Sequence, residues 1–445
     1  MKTRFTRFYL LCVVMGVLVS QAVAEPRVDA VLDVAPVWPG HPVGFCLLTR
    51  PPYQFVGFYD AERRMTVAQR KLDDTAWQFT ILDEQTGWDS HNYVTIALDA
   101  QGFLHLCGNM HCVPLVYFRS AKPFDAASLL RVPAMTESEE QQVTYPRFLE
   151  GPKGELVFTY RDGRSGSGNQ IFNSYHIETK TWRRLLDKPL TDGEGARNAY
   201  FQGPVPGPDG YFHLCWVWRE SPDCATNHDL SYARSKDLVH WEHSDGTAYT
   251  LPITLATAEV VDPVPAGGGM INGNAKLGFD ARGSVVIGYH KHDERGYTQA
   301  YVARREVDGW HHVVVSDWQY HWDFSGGGSI PFDIRIGAPK TAEDGGLVLP
   351  FSHKQFGSGR VRVDSETLRR IEVLGPEESR IPKGLSRAQS TFPGVEVRFE
   401  EDSGRAETGN ISYCLRWETL GPNRDRPRDP PWPEPTMLRL YRLAQ

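Results

Sequence analysis

The sequence predicts an all-β protein, a seven-bladed β-propeller, and three observations carry that expectation. Glycine-containing turns recur between short β-rich runs: Gly102 in "ALDAQGFLHL", Gly154 in "LEGPKGELVFTY", Gly210 in "PVPGPDGYFHL", Gly283 in "GFDARGSVVIGY" and Gly345 in "KTAEDGGLVLPF". Their spacing is the period of propeller blades stretched by insertions. Apolar and polar residues alternate inside runs such as "ELVFTY" and "SVVIGY", the pattern of half-buried strands. A tryptophan-bearing strand then completes several of the units, in "NSYHIETKTWRRL", "LSYARSKDLVHWEHS" and "TQAYVARREVDGWHHVVV".

Taken from the N-terminus, basic Lys2, Arg4 and Arg7 precede the apolar "FYLLCVVMGVLVS" and then "AVA" before Glu25. That layout is a secretory signal peptide over residues 1–24. The expectation is a secreted or periplasmic protein with one propeller domain over 25–445 and no membrane span, because no later stretch is apolar for long enough. "VGFCLLTR" and "QFVGFYDAERRMTVAQRKL" supply a first unit, the five glycine-turn units follow, and "ISYCLRWETL" with "MLRLYRL" supplies a last. Radial closure of about seven such units removes exposed sheet edges; a pair of β-sandwiches is the competing architecture. Helix signals are confined to one short turn in "PFDAASLLRV", and "GPNRDRPRDPPWPEP" reads as an extended loop before the last strand.

Twelve Trp, eighteen Tyr and forty-one Gly in 445 residues suit a β-rich chain with many turns. A formal net charge of −7 gives no global attraction to nucleic acid or anionic membrane, so neither is an expected partner. Beyond the leader remain Cys46, Cys107, Cys112, Cys215, Cys224 and Cys414. In an exported chain they leave three readings open: disulfides, a structural metal ion using Cys215 and Cys224 with a histidine, or buried reduced thiols.

The loops and inner strands at one face of a propeller line its central depression, so polar residues there matter most. In "DSHNYVTIALDAQGFLHLCGNMH", His91 and Asn92 begin an inner strand and His111 ends the partner strand of that hairpin. Tyr145 in "YPRF" and Arg161 in "YRDG" stand in the same relation on the next hairpin. Taken singly, a hairpin histidine is more often a hydrogen-bonded structural group, and a Tyr beside Pro a packing residue. The repetition at equivalent positions of neighbouring blades makes them a candidate site.

These runs, together with "FTYRDGRSGSGNQ", "RNAYFQG" and "ATNHDLSYARSKDLVHW", resemble the BNR-type seven-bladed propeller polysaccharide lyases: the ulvan lyase families and the related rhamnose–glucuronate lyases. The resemblance is specific over residues 85–245 and loose in the C-terminal third. It implies catalytic roles for His91, His111, Tyr145 and Arg161, with Arg161 meeting a uronate carboxylate. It implies substrate contacts from Tyr200, Asn92, Arg197 and His228. The implied substrate is a uronate-containing, rhamnose-rich polysaccharide, cleaved by a monomer through β-elimination to an unsaturated uronate. The segment between His111 and Tyr145 is shorter than in the family.

Chemistry asks for the same residue types. Elimination removes a weakly acidic proton alpha to a carboxylate, so that carboxylate must be neutralised, which a guanidinium with a histidine can do. A base and an acid must flank the bond. Tyr145 is placed at the leaving oxygen, with His91 or His111 as base and the other on the carboxylate; Tyr145 performing both steps stays open. No cofactor and no metal enters this chemistry.

Two other classes compete. "SKDLVHW", Ser235 to Trp241, resembles a sialidase-type Asp box or a five-bladed glycosidase turn, and Asp60, Asp89, Asp162, Asp229 and Asp333 are available to a hydrolase, although no pair stands out. A carbohydrate-binding propeller without catalysis is the third.

Overall fold

The computed structural model describes residues 26–404 and 410–444, so the signal peptide expected over 1–24 lies outside the described residues. Within them the chain forms seven antiparallel sheets of four or five strands, the blades of a β-propeller. The innermost strands are Cys46–Arg50, Thr95–Leu98, Val143–Glu150, Asn198–Pro206, Lys276–Phe279, Ile334–Ile336 and Val395–Glu401, in blades 1 to 7. No described helix is long and apolar enough to cross a membrane.

The five repeated glycines do what their spacing requires. Gly102, Gly154, Gly210, Gly283 and Gly345 all take positive φ, between 79° and 86°, at the turn joining the first and second strands of blades 2 to 6. A side chain is unfavourable in that left-handed backbone. The repeated tryptophans are wedges between blades. Trp182, in the outer strand of blade 3, donates its indole N–H to Tyr117 of blade 2 at 3.0 Å. Trp241 of blade 4 packs on Phe172 of blade 3, with centroids 6.2 Å apart, and Trp310 of blade 5 on Tyr232 of blade 4 at 5.0 Å. Each outer strand thus buries a large ring against the third strand of the preceding blade, taking roughly 150–250 Å² from water per aromatic.

Blade 7 holds strands from both ends of the chain. Arg27–Val37 pairs along Thr436–Ala444 as the outermost strand, beside Ile411–Leu420 and Val395–Glu401. The N-terminal strand had no counterpart in the sequence reading. It fixes the last blade to the start of blade 1, where Thr49 N–H donates to Asp402 and Phe45 stacks on Trp417 at 4.7 Å.

All six described cysteines are free thiols, which removes the disulfide reading for them. Cys107, Cys215, Cys224 and Cys414 are buried as small apolar groups. The "SKDLVHW" turn braces a blade. Asp237 accepts from Ser235 Oγ and from the backbone N–H of Val239 and His240, and Trp241 is buried.

Candidate functional site

In each blade the first strand begins, and the second ends, at the same rim of the propeller. Tyr145, Arg161, Tyr200 and Arg219 all occupy such positions on blades 3 and 4. His91 lies just before the first strand of blade 2, in the short helical turn Ser90–Asn92 capped by Asp89. The sequence reading placed His111 at the end of the blade 2 hairpin, and this is corrected. That strand ends at Cys107; Asn109 and Cys112 take left-handed backbone, and His111–Val113 crosses to pair with Val143 and Thr144 at the edge of blade 3. His111 therefore joins two blades.

One carboxylate organises both imidazoles. Asp89 Oδ1 lies 2.6 Å from His91 Nδ1, and its Oδ2 lies 2.5 Å from His111 Nδ1. The two rings stack with centroids 4.1 Å apart, and His91 meets the Tyr145 ring edge-on at 5.4 Å. Burial would lower the basicity of His111, but the Asp89 hydrogen bond and the adjacent Cys112 outweigh it and raise its pKa to about 9. Against its own burial, Asp89 is held well below the usual carboxylate range by the same two histidines. Asp89, His91 and His111 also have donor atoms within 4.8 Å of one another and could hold a metal ion, a set the sequence reading did not single out. In this arrangement those donors are committed to one another.

Tyr145 sits on a β-bulge. The register runs Thr144 to Arg161 and then Arg147 to Thr159, one residue too many on the inner strand, and Tyr145 takes φ 59°. Bulges re-aim side chains, and left-handed backbone at a non-glycine residue is strain of the kind found at functional sites. Its ring lies beneath the Arg161 guanidinium, 5.0 Å from the centroid, and 6.1 Å from the Tyr200 ring. Burial raises the Tyr145 pKa, so the phenol keeps its proton.

Arg161 is 1% exposed and has no carboxylate partner among the described residues. It donates to Thr144 Oγ1 at 3.0 Å, to Cys112 Sγ at 3.3 Å and to Tyr200 Oη at 3.4 Å, while its Nε has no partner. Burial opposes the charge, yet the surrounding tyrosines and Cys112 leave it firmly cationic. Gly168 makes room for it, since a Cβ there would come within 2.9 Å of Arg161 Cγ and Cδ. Cys112 answers the same charges. Burial would raise its pKa, but His111 and Arg161 lower it to about 7.

The other expected contacts divide. Tyr200 is part of the cluster, with Ser165 Oγ 2.6 Å from its hydroxyl. Asn92 is not a cleft residue: it is buried, its amide faces Thr86 at 3.4 Å and its carbonyl accepts from Tyr59 at 2.6 Å, so it ties blade 1 to blade 2. Arg197 and His228 meet each other's partner, Glu220, at 3.1 and 2.7 Å, and Arg197 also pairs with Glu194. They form an ion-paired group on blade 4 that shares the Glu220 carboxylate.

Three residues were missed. Arg219 is buried, stacks over Tyr200 at 5.4 Å, and also lacks an ion pair among the described residues. The signal for it was present, because "WRE" at 218–220 occupies in blade 4 the place of "YRD" at 160–162 in blade 3. Asp89 was noted only as a carboxylate for hydrolysis. Asp425, from the proline-rich loop, accepts from Ser90 N and Oγ at 3.1 and 2.8 Å, lies 3.3 Å from His41 Nε2 and 3.7 Å from His91 Nδ1, and no local pattern announces it.

Beside the cluster, a cavity of about 250 Å³ opens between Tyr145 and Tyr200, with Gln170, Gln202 and Asn272 in its walls. The site therefore offers two buried cations, a protonated phenol, a carboxylate-bound imidazole pair and polar walls, an arrangement suited to an anionic ligand carrying many hydroxyls.

Comparison with solved structures gives the same architecture over nearly the whole chain. The polysaccharide lyase Uly1 aligns at a TM-score of 0.61 with 13% identity, over 94% of this chain and 99% of its own. A PL25 ulvan lyase aligns at 0.59 with 11% identity, over 93% and 95%. The same kind of enzyme bound to -[GlcA(1-4)Rha3S]- aligns at 0.57, also with 11% identity and the same coverage. At these identities the likeness shows the fold. The comparison with curated proteins gave no match. The model of a family described as BNR repeat-containing matches residues 53–318, more than half of the sequence, and the chain belongs to that family.

Proposed function

We propose that the protein is a polysaccharide lyase that cleaves a uronate-containing, rhamnose-rich glycan of the ulvan kind by β-elimination. The observation that carries this reading is Arg161, a buried guanidinium with no carboxylate partner among the described residues, set between the phenols of Tyr145 and Tyr200. An unpaired buried charge is costly unless a ligand completes it. A uronate carboxylate does so, and its neutralisation is the first requirement for acidifying the neighbouring C–H.

The roles follow from the protonation states. His111, cationic at neutral pH, joins Arg161 on the carboxylate and stabilises the enolate-like charge as it develops. His91 has Nδ1 engaged by Asp89, which orients its other nitrogen to take the proton alpha to the carboxylate. As the C–H electrons form the double bond, the glycosidic C–O bond breaks, and Tyr145 gives its phenolic proton to the leaving oxygen. The raised Tyr145 pKa returns that proton from His91 afterwards and argues against a tyrosinate serving as the base. No cofactor enters these steps.

Hydrolysis fits less well. A glycosidase needs a carboxylic acid of raised pKa opposite a second carboxylate. Asp89 and Asp425, the carboxylates at the cluster, are both held below their ordinary range.

The deciding experiment is ultraviolet absorbance of the purified protein with ulvan and, separately, with rhamnose-capped glucuronate oligosaccharides. A rise that Tyr145→Phe abolishes supports elimination. New reducing ends without that absorbance would transfer the protein to the hydrolases, and binding without any product would make it a carbohydrate-binding propeller.

A further inference from the structure

The proline-rich segment 421–435 does more than link two strands of blade 7. Asp425 reaches Ser90 and the region of His91, while Trp432 lies 44% exposed at the other end of the segment. Trp432 meets Trp88 edge-on at 5.5 Å, and Trp88 meets Trp38 at 4.8 Å. Trp88 is the residue next to Asp89, so an aromatic run leads from the histidine pair to the rim of blade 7.

On that rim Trp432 borders a cleft of about 560 Å³, with Gln389, Thr391, Phe392, Glu434 and Arg439 around it. The cleft opens on the same face as the site, at the start of Val395–Glu401 and the end of Ile411–Leu420. Its floor is an ion pair turned in on itself: Arg416 donates to Glu418 at 2.7 Å, and Glu418 also accepts the backbone N–H of Gln389 and Ser390. Arg439 is likewise engaged by Asp33 and Gln389. With Arg416, Glu418 and Arg439 engaged internally, the cleft presents an indole, a phenyl ring, an amide, hydroxyls and the exposed carboxylate of Glu434, which repels anionic groups. That chemistry recognises ring faces and hydroxyls of a neutral sugar rather than a carboxylate.

We infer that the blade 7 cleft is a second saccharide-binding site, which holds neutral sugar residues of the same polysaccharide chain whose uronate lies at Arg161. This rests on the polysaccharide reading above. Its consequence is that long chains bind better than short ones, through contacts remote from the bond being broken.

The test uses affinity electrophoresis of the full chain in gels containing desulfated ulvan, in which the rhamnose is neutral, comparing wild type, Trp432→Ala and Thr391→Glu, alongside initial rates on that polymer and on a short unsulfated rhamnose–glucuronate oligosaccharide. Both positions are exposed, and the second variant keeps every aromatic contact while placing a negative charge in the cleft. Wild type should be retarded; Trp432→Ala should bind the polymer about two- to tenfold more weakly, the range expected for losing one aromatic contact, and Thr391→Glu should weaken binding as well, through the carboxylate it places where a sugar would lie. KM on the desulfated polymer should rise while kcat, and rates on the short substrate, stay unchanged. Wild type running unretarded, or variants retarded equally with it, would overturn the inference. Retardation lost in the variants, with no unsaturated product from any form, would keep the cleft and remove the lyase reading.

Discussion

Asp89 Oδ2 and His111 Nδ1 lie 2.5 Å apart, although the residues are 22 positions apart in sequence and stand on adjoining blades. The same carboxylate holds His91 at 2.6 Å, so one anion sets the orientation of both rings and the charge of at least one. The proposed division of labour, one imidazole as cation and the other as base, depends on that shared partner.

Asp89→Asn should therefore affect both roles. The His111 pKa should fall from about 9 toward its ordinary 6.5, visible in an NMR titration of the imidazole protons. Turnover should drop by about 10²–10⁴, the usual scale for a disrupted acid–base pair, and activity should begin to decline at lower pH. A histidine whose pKa is unchanged by the substitution would disprove this arrangement.

Stability should carry the same signature. Because the folded-state pKa of His111 is raised above its unfolded value, its contribution is fully present below pH 6.5 and is lost as the pH rises through about 9. Thermal unfolding followed from pH 6 to pH 10 should show a fall in Tm for wild type that is reduced in Asp89→Asn.

Arg161→Lys keeps a charge but loses the planar fork that reaches Thr144 and Tyr200 together. The expected outcome is a loss of kcat/KM of about 10²-fold or more, near 3 kcal/mol, the scale of removing one donor from a transition-state anion site. Steady-state rates on ulvan measure it; a loss under tenfold would argue against Arg161 as the carboxylate ligand.

Gly168→Ala tests the space beneath that guanidinium. The added methyl meets the Arg161 stem at 2.9 Å, so the side chain must move. The same methyl also meets Asn198 Oδ1 at 2.7 Å; overpacking of this kind costs about 1–3 kcal/mol, and KM should rise with a lowered Tm.

Cys112 should be the most reactive thiol. Its pKa is lowered to about 7, whereas burial pushes Cys46, Cys215 and Cys414 up to about 12. Limited iodoacetamide treatment followed by peptide mass mapping should find Cys112 labelled first, with a midpoint near pH 7. Because its Sγ is 3.3 Å from Arg161, labelling should abolish turnover, and bound oligosaccharide should slow the reaction.

The propeller was legible because its repeats are local. Positive-φ glycines at five equivalent turns, alternation within strands, and a tryptophan wedge in three outer strands are each written in a few consecutive residues. Tyr145 and Arg161 were legible for the same reason, as polar residues at strand ends facing one rim, whereas the crossing of His111 to the edge of blade 3 was not. Even the bland reading of a histidine held elsewhere: His105 and His213 sit on second strands of blades 2 and 4 and simply bond Tyr117 and Tyr232.

What the amino-acid sequence determined by itself is thus the repeating architecture and the side chains that face its mouth. Tertiary structure alone decided the partnerships. Asp89 serves two blades at once, the bulge under Tyr145 turns its ring to Arg161, and Arg27–Val37 completes a blade begun hundreds of residues later. It also buried Asn92 between blades 1 and 2 and joined Arg197 and His228 through one carboxylate, Glu220. The physical reason is range: turn and strand preferences act between neighbours in sequence, whereas charge pairing and ring packing act between neighbours in space, and closing the propeller is what makes distant residues adjacent.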